Sequence, residues 1–210
     1  RQTVGPLSLD TLSGTFDYPV LLGRFLDTAS DPWPLADLDN QLFEPGYSGL
    51  GRPGSLRDYF DEVSYGNYGI DGTVYDWTTA SKNAADYSGT AGCNGLCESQ
   101  TDSAAAFVSE ILALNETTID FSAYDNDGPD GMPNSGDDDG VVDLLIVVQP
   151  LSGGECGNAN IWSHLGRYST TFGSSYSTDD TANAGGTILI EDFIVVPAFD
   201  CDDSSLVTIG

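Results

Sequence analysis

The 210-residue sequence predicts a mixed α/β (α+β) domain: a twisted mixed sheet with two or three helices and a calcium-type acidic loop. Three observations predict it. Apolar, β-prone stretches recur at residues 16–27, 141–148 and 187–196. Between them lie segments with helical spacing and recognisable start and stop residues. An acidic, glycine-punctuated run covers residues 124–143 and feeds directly into the middle apolar stretch. The order strand, helices, strand, helix, loop, strand, strand lacks strict βαβ alternation, and neither an internal repeat nor a second domain is visible.

Residues 1–14 are polar and irregular and read as a lead-in. Residues 16–27 (FDYPVLLGRFLD) read as a core strand with Pro19 near its start. Residues 35–43 place Leu35, Leu38, Leu42 and Phe43 at helical spacing. A Gly/Pro loop over 44–54 precedes a clearer helix, where Ser55 caps, Asp58 reaches back as a capping box, and Gly66 terminates. Ile70, Val74 and Trp77 mark residues 68–79 as an extended strand or hairpin. A Gly/Ser/Asn loop over 81–101 follows, then a helix capped by Asp102 that runs to Asn115 with Ala104, Val108, Ile111 and Leu112 on one face. Asn115-Glu116-Thr117 forms a glycosylation triplet, a pattern common by chance. Val141 to Val148 is a continuous apolar run, as expected of a strand buried on both faces. Residues 169–186 have a surface composition, and 187–196 form a strand that bends at Glu191-Asp192.

Composition narrows the function. With 33 acidic against 6 basic residues the net charge is −27, which repels nucleic acid and anionic membrane surfaces. Apolar residues make up 40%, enough for a core, and no run is long enough to span a bilayer. Of the acids 26 are Asp and 7 are Glu, a bias toward turns, caps and cation ligands. The four cysteines, Cys93, Cys97, Cys156 and Cys201, allow three pairings. Cys93–Cys97 has a spacing open to zinc, but no second close pair follows. An exported chain with two disulfides fits better, pairing Cys93 with Cys97 as neighbours and Cys156 with Cys201 by elimination. The chain starts at Arg1 and stops at Gly210 directly after Leu206-Val207-Thr208-Ile209, which leads us to expect that both ends are cuts in a longer reading frame.

The acidic run carries seven carboxylates in residues 125–143. Calcium takes six to eight oxygens at about 2.4 Å, from carboxylates and carbonyls on a tightly turning backbone. Gly128 and Gly140 permit the bends. The expected ligands are Asp125, Asp127, Asp139 and Asp143 with the Val141 carbonyl, and Asp130 and Asp137 are second choices that could serve a second ion. A merely solvated acidic turn is the competing reading. It is disfavoured because the carboxylates would repel one another and the run leads into a buried strand. No EF-hand glutamate follows twelve positions on, so the site is of another type.

Other chemistry is sparse. His164 is the one histidine, which excludes any site needing two, and beside Trp162 it reads as a packed structural residue. No nucleophile elbow, phosphate loop or dinucleotide fingerprint is present. Several stretches, taken together and in order, resemble the immune inhibitor A family of secreted bacterial zinc metalloproteases. They are PVLLGRFLD (19–27), SLRDYFDEVSYGNYGIDGTVYDW (55–77), DFSAYDNDG (120–128), DDDGVVDLLIVVQ (137–149) and NIWSHLGRY (160–168). The insertion PDGMPNSG (129–136) departs from the family pattern by separating the halves of the acidic turn.

The resemblance implies a zincin-like upper subdomain. Residues 15–210 would be the N-terminal part of a metallopeptidase catalytic domain, ending at LVTIG (206–210), just before the helix that carries HExxH. In that motif two histidines hold zinc and the glutamate activates water. The catalytic glutamate and the zinc ligands therefore map to no residue here. Calcium is the cofactor expected in this chain and zinc the cofactor of the complete enzyme, whose substrate is a protein or peptide. Neither nucleic acid nor membrane is an expected partner, and the sequence sets no oligomeric state. The alternative is a calcium-stabilised extracellular binding or adhesion module without catalysis.

Overall fold

The computed structural model describes residues 13–49 and 53–202. Most of the lead-in and the LVTIG segment lie outside them. The fold is mixed α/β, as the sequence predicts. Its main sheet has five strands: β1 (Gly14–Arg24), β2 (Tyr68–Thr79), β3 (Leu145–Ser152), β4 (His164–Arg167) and β7 (Asp192–Phe199), in the order β2-β1-β3-β7-β4. The first four strands in that order run parallel, and β4 joins β7 antiparallel as an edge. A separate hairpin pairs β5 (Tyr176–Thr181) with β6 (Thr187–Ile190). The helices are α1 (Leu35–Phe43), α2 (Leu56–Val63), α3 (Ala84–Ser88), α4 (Ala104–Asn115) and α5 (Tyr168–Phe172).

Side-chain alternation along the central strands builds two cores. Leu21, Leu145, Val147, Phe193 and Val195 face one way, toward α4 and the hairpin. Val20, Leu22, Ile146, Val148 and Ala198 face the other, toward α1 and the sheet residue Trp77. A strand buried on both faces must be apolar at every position, which is why β3 reads as an unbroken run rather than an alternating one.

α4 lies directly on β1. A Cβ on Gly23 would sit 2.5 Å from Phe107 Cζ and 2.9 Å from Ile111 Cγ1, so this position has no room for a side chain. The register of β1 against β2 also shifts between Leu21 and Gly23, where the helix presses closest. Pro19 sits further into β1 than its sequence suggests. Strand β3 pairs only with Val20–Leu22, so beside Pro19 the sheet register runs to β2 alone.

Several local expectations change. Residues 68–79 form one strand, the first of the two expected forms. Ser103, not Asp102, caps α4: its hydroxyl accepts from the Ala106 amide at 3.1 Å, while Asp102 pairs with Lys82 at 3.3 Å. The middle strand begins at Leu145, because Val141 bridges to Leu189 and the Val142 amide donates to the Leu189 carbonyl at 2.9 Å. The polar stretches 81–101 and 169–186 contain short elements (α3, α5 and β5) that composition hid. The Ser55–Asp58 capping box forms, with both reciprocal bonds present. The bend at Glu191 separates β6 from β7, which belong to different sheets.

Both disulfides pair as expected, Cys93 with Cys97 and Cys156 with Cys201. The second closes a 45-residue separation and ties the turn after β3 to the end of β7. By loop-closure entropy a bridge of that span stabilises by about 4 kcal/mol. No helix among the described residues is long and apolar enough to cross a membrane.

Gly23→Ala is expected to destabilise the chain by about 1–3 kcal/mol in urea unfolding. Adding Phe107→Leu should restore part of that loss, because the helix side chain is what the new methyl group meets. Simple additivity of the two changes would contradict the close approach.

Candidate functional site

The acidic loop runs from a 3-10 turn at Phe121–Tyr124 to β3 and is fastened at both ends. The Asp143 amide donates to the Tyr124 carbonyl at 3.1 Å, and Leu189 of β6 donates to the Gly140 carbonyl at 2.8 Å. Asn126 ties the loop to the main sheet. Its Oδ1 accepts from the Asp17 amide at 3.3 Å, and its Nδ2 donates to Asp143 Oδ2 at 2.7 Å. These bonds hold the carboxylates in place and keep the loop from splaying into water.

Asp125, Asp127 and Asp138 converge. Each offers a carboxylate oxygen, and the three oxygens lie within 4.8 Å of one another. Asp125 is 1% exposed and Asp138 6%. Asp138 accepts from the Gly128 amide at 2.6 Å and the Ser135 amide at 2.7 Å, and Asp125 accepts from the Gly140 amide at 3.3 Å. Burial, then the charges of Asp138, Asp139 and Asp127, push Asp125 up to about 6. Burial, then Asp127, Asp125 and Asp139, push Asp143 up to about 7 against the Asn126 amide that lowers it. Burial and the Asp139 and Asp138 charges also raise Asp127.

Among the described residues no side-chain cation pairs with these carboxylates. The basic residues of the described chain are engaged elsewhere: Arg24 with Asp31, Arg57 with Asp71, Lys82 with Asp102, and Arg167 with Glu191 and Asp192. The donor set is all oxygen and partly desolvated, which suits a hard divalent cation such as calcium.

Of the expected ligands, Asp125 and Asp127 belong to the converging group. Asp139 turns an oxygen to its own-turn Val141 amide at 2.9 Å, and Asp143 is bonded by Asn126. Asp130 and Asp137 meet at the exposed insertion, where the Asp130 amide donates to Asp137 at 3.3 Å. Asp138 is the member that sequence reasoning missed. An extended backbone would put Asp137 and Asp139 on one side, but Gly136 (φ 118°) and Gly140 (φ 82°) break that phase, and Asp138 turns inward.

A second feature is an open cleft of about 770 Å³ between α2 and the sheet. Leu56, Tyr59 and Phe60 of α2 form one wall, and Ile70, Ile146 and Ile194 of the sheet form the floor. No residue of α2 is buried, although its spacing is amphipathic, and Tyr59 remains 56% exposed. Tyr18 and Tyr68 also line the cleft, with their hydroxyls bonded to each other; burial, then Tyr68, raises the Tyr18 pKa.

The far end of the cleft is polar and is formed by Glu155, Ser163 and His164. Glu155 accepts from the Ser163 amide at 3.1 Å and the Ser163 hydroxyl at 2.5 Å. Burial works against its charge, but the Ser163 bonds outweigh it and hold Glu155 below the ordinary carboxyl value. His164 begins edge strand β4. Its Nδ1 lies 2.7 Å from the Trp162 carbonyl oxygen, and its ring stands edge-on to Phe193 at 6.1 Å. The lone histidine is thus packed and hydrogen-bonded as the sequence suggests, and it also faces the cleft.

β4 has no strand on its outer side among the described residues. The Tyr168 amide donates to the Glu191 carbonyl at 2.8 Å, which sets the phase of pairing, so Leu165 and Arg167 turn their backbone groups outward. Leu165 is 66% exposed. Glu191 anchors the end of this strand, accepting from the Ser169 and Ser175 hydroxyls and pairing with Arg167 at 3.3 Å. The glycosylation triplet is inert as folded, because Asn115 is buried and donates to the Ile111 carbonyl at 2.8 Å.

A mostly parallel sheet with an antiparallel edge strand, an open apolar cleft beside that edge and an acidic loop leading into the middle strand characterise this α/β domain. Residues 35–202 match the family described as immune inhibitor A peptidase M6, catalytic domain. The chain belongs to this metallopeptidase family. It is 32% identical over 122 residues to "Immune inhibitor A" of Bacillus thuringiensis subsp. alesti, covering 52% of this chain and 17% of that protein. It is 29% identical over 169 residues to "Pre-pro-metalloprotease PrtV" of Vibrio cholerae serotype O1 (strain M66-2), covering 73% of this chain and 18% of that protein. The matched region thus amounts to less than a fifth of either relative.

Among the described residues, no cluster combines histidine or free cysteine side chains into a zinc site. The sequence has one histidine, and all four cysteines are in disulfides.

Glu191→Gln tests the anchoring of the edge strand. Burial opposes the Glu191 charge, but its hydroxyl, amide and Arg167 partners hold the group below its ordinary 4.5. A depressed folded-state value stabilises above the unfolded one and loses that contribution as pH falls. The variant should therefore be about 1–2 kcal/mol less stable than the parent at pH 7, with the gap closing on acidification through the carboxyl range. A gap independent of pH in paired urea titrations would contradict this.

Proposed function

We propose that the chain is the N-terminal portion of the catalytic domain of a secreted, zinc-dependent metalloendopeptidase that hydrolyses peptide bonds in proteins, and that by itself it is inactive. The observation that carries this reading is the uncovered apolar cleft. α2 presents an apolar face with no buried residue, and the sheet beside it presents isoleucines to the same open space. Exposed apolar area of this kind calls for a covering element. An amphipathic helix from later in the sequence would fit over Ile70 and Ile146 beside α2, with its polar side and the HExxH residues toward the β4 margin, and would leave the Glu155–His164 end open. The zinc ligands would then come from that helix, since the residues described here do not fit the metal. The free backbone of β4 suits an extended peptide chain, which would make this edge a wall of the substrate cleft. The two disulfides favour an oxidising, extracellular setting.

The acidic loop would hold a calcium ion through Asp125, Asp127 and Asp138, with Asp139, Asp143 and the Val141 carbonyl available to complete the oxygen shell. Asp130 and Asp137 would be second-ion candidates. Bound there, the ion neutralises carboxylates that no described lysine or arginine pairs with, and so fixes the entrance to β3.

Two measurements test these readings. The 210-residue chain should cleave no casein, whereas the coding sequence beyond Gly210 should encode HExxH and the extended protein should be a chelator-sensitive peptidase. Proteolysis by the 210-residue chain alone, or an extension without the motif, would overturn the assignment. Separately, EGTA should lower the melting temperature. A hundredfold excess of calcium over Kd is worth about 2.7 kcal/mol. Asp125→Asn should abolish the response, and a melt unmoved by calcium or EGTA would remove the ion.

A further inference from the structure

The polar end of the cleft contains an acceptor to which no described side chain is seen to donate. Nδ1 of His164 faces the Trp162 carbonyl at 2.7 Å, and a carbonyl oxygen can only accept. In the neutral ring the proton is therefore on Nδ1, and Nε2 is left with a lone pair. Glu155 adds a carboxylate lining the same cleft, held by the amide and hydroxyl of Ser163. The nearest basic residue along the strand is Arg167, and its guanidinium is committed to Asp192 at 3.1 Å and Glu191 at 3.3 Å. Nothing positive in the described chain competes for this corner, and the net charge of −27 sets a negative background.

The surroundings select further. Leu144, Ile194 and Val196 line the cleft with hydrocarbon. A side chain that fits both parts has a long apolar stem and a cationic hydrogen-bond donor at its tip. The outward backbone of β4 lies beside this corner and offers pairing groups to an extended chain, whose alternate side chains then fall on the cleft side.

We infer that His164 and Glu155 form a subsite that selects a lysine or arginine side chain on an extended peptide laid along β4. Calling that peptide a substrate rests on the peptidase reading above; the binding itself does not. His164 acts as a specificity-determining residue: its ring orientation is set by Trp162 and Phe193, and its free nitrogen accepts from the incoming cation.

The single histidine makes the test direct. The 210-residue chain, labelled with 15N-histidine, gives one imidazole pair of resonances. It is titrated with two capped hexapeptides that differ only in a central lysine or norleucine. The lysine peptide is expected to shift the Nε2 resonance and to bind at least about tenfold more tightly, equivalent to about 1.4 kcal/mol. His164→Phe and Glu155→Gln should each narrow that ratio toward one. Equal affinity for the two peptides, no binding of either, or a lysine preference that survives both variants would overturn the subsite. The wild-type titration needs no variant to fold. Because no bond is cleaved, failure of the peptidase reading leaves this result standing, and cleavage without lysine or arginine preference removes the subsite alone.

Discussion

The structure depends on one constraint: β1, β3 and β7 are parallel neighbours whose side chains must be covered on both faces. Parallel strands cannot be joined by tight turns, so the connections are long, and those connections supply the cover. The segment between β1 and β2 provides α1 and α2 for one face. The segment between β2 and β3 provides α4 for the other. Close approach at Gly23 lets α4 seat against the backbone of β1. The opposite face is covered less completely. α1 buries Leu38 and Leu42 there, whereas Leu56 and Phe60 of α2 pack against the same core only partly buried and leave the cleft open.

Charge sets a second condition. A chain with 6 basic residues against 33 acids cannot pair its carboxylates with side chains. Most of the acids remain in water, where repulsion is weak. In the loop before β3, Asp125 and Asp138 are buried together, and backbone amides from Gly128, Ser135 and Gly140 take the place of cations. Amides compensate only partly, as the raised values of Asp125 and Asp143 record. The loop is nonetheless kept compact, because Asn126 and the β6 contacts close it from two sides.

How much of this was legible in the sequence follows from which interactions are local. The capping box at Ser55, the helical spacing of α1 and the unbroken apolar run of β3 each follow from neighbours in the chain, and each is found, within a few residues at the ends of β3. The bend at Glu191 was legible for the same reason. What was not legible depends on partners distant in sequence. Val141 reads as strand but is held by Leu189, 48 positions on, in a bridge that no local pattern announces. Strand β5 is polar because only one of its faces packs, so its composition resembles a loop. Asp138 was missed because strict alternation fails wherever a glycine takes a positive φ. The polar corner of the cleft was invisible because Glu155 and Ser163 meet across a turn whose shape the sequence does not specify.

The edge strand connects these conditions to function. Burial on both faces requires the central strands to be apolar, but β4, at the margin, carries the alternating exposure of a strand packed on one side only. It can therefore place a histidine toward the cleft and a leucine toward solvent without cost to the core. A free sheet edge invites pairing with other chains. Here the strand is four residues long and ends in the Arg167–Glu191 pair. An edge restricted in this way is a liability for a purely structural module and an asset for a domain that must take hold of other polypeptides. The incomplete cover over the neighbouring face leaves open space next to this edge strand.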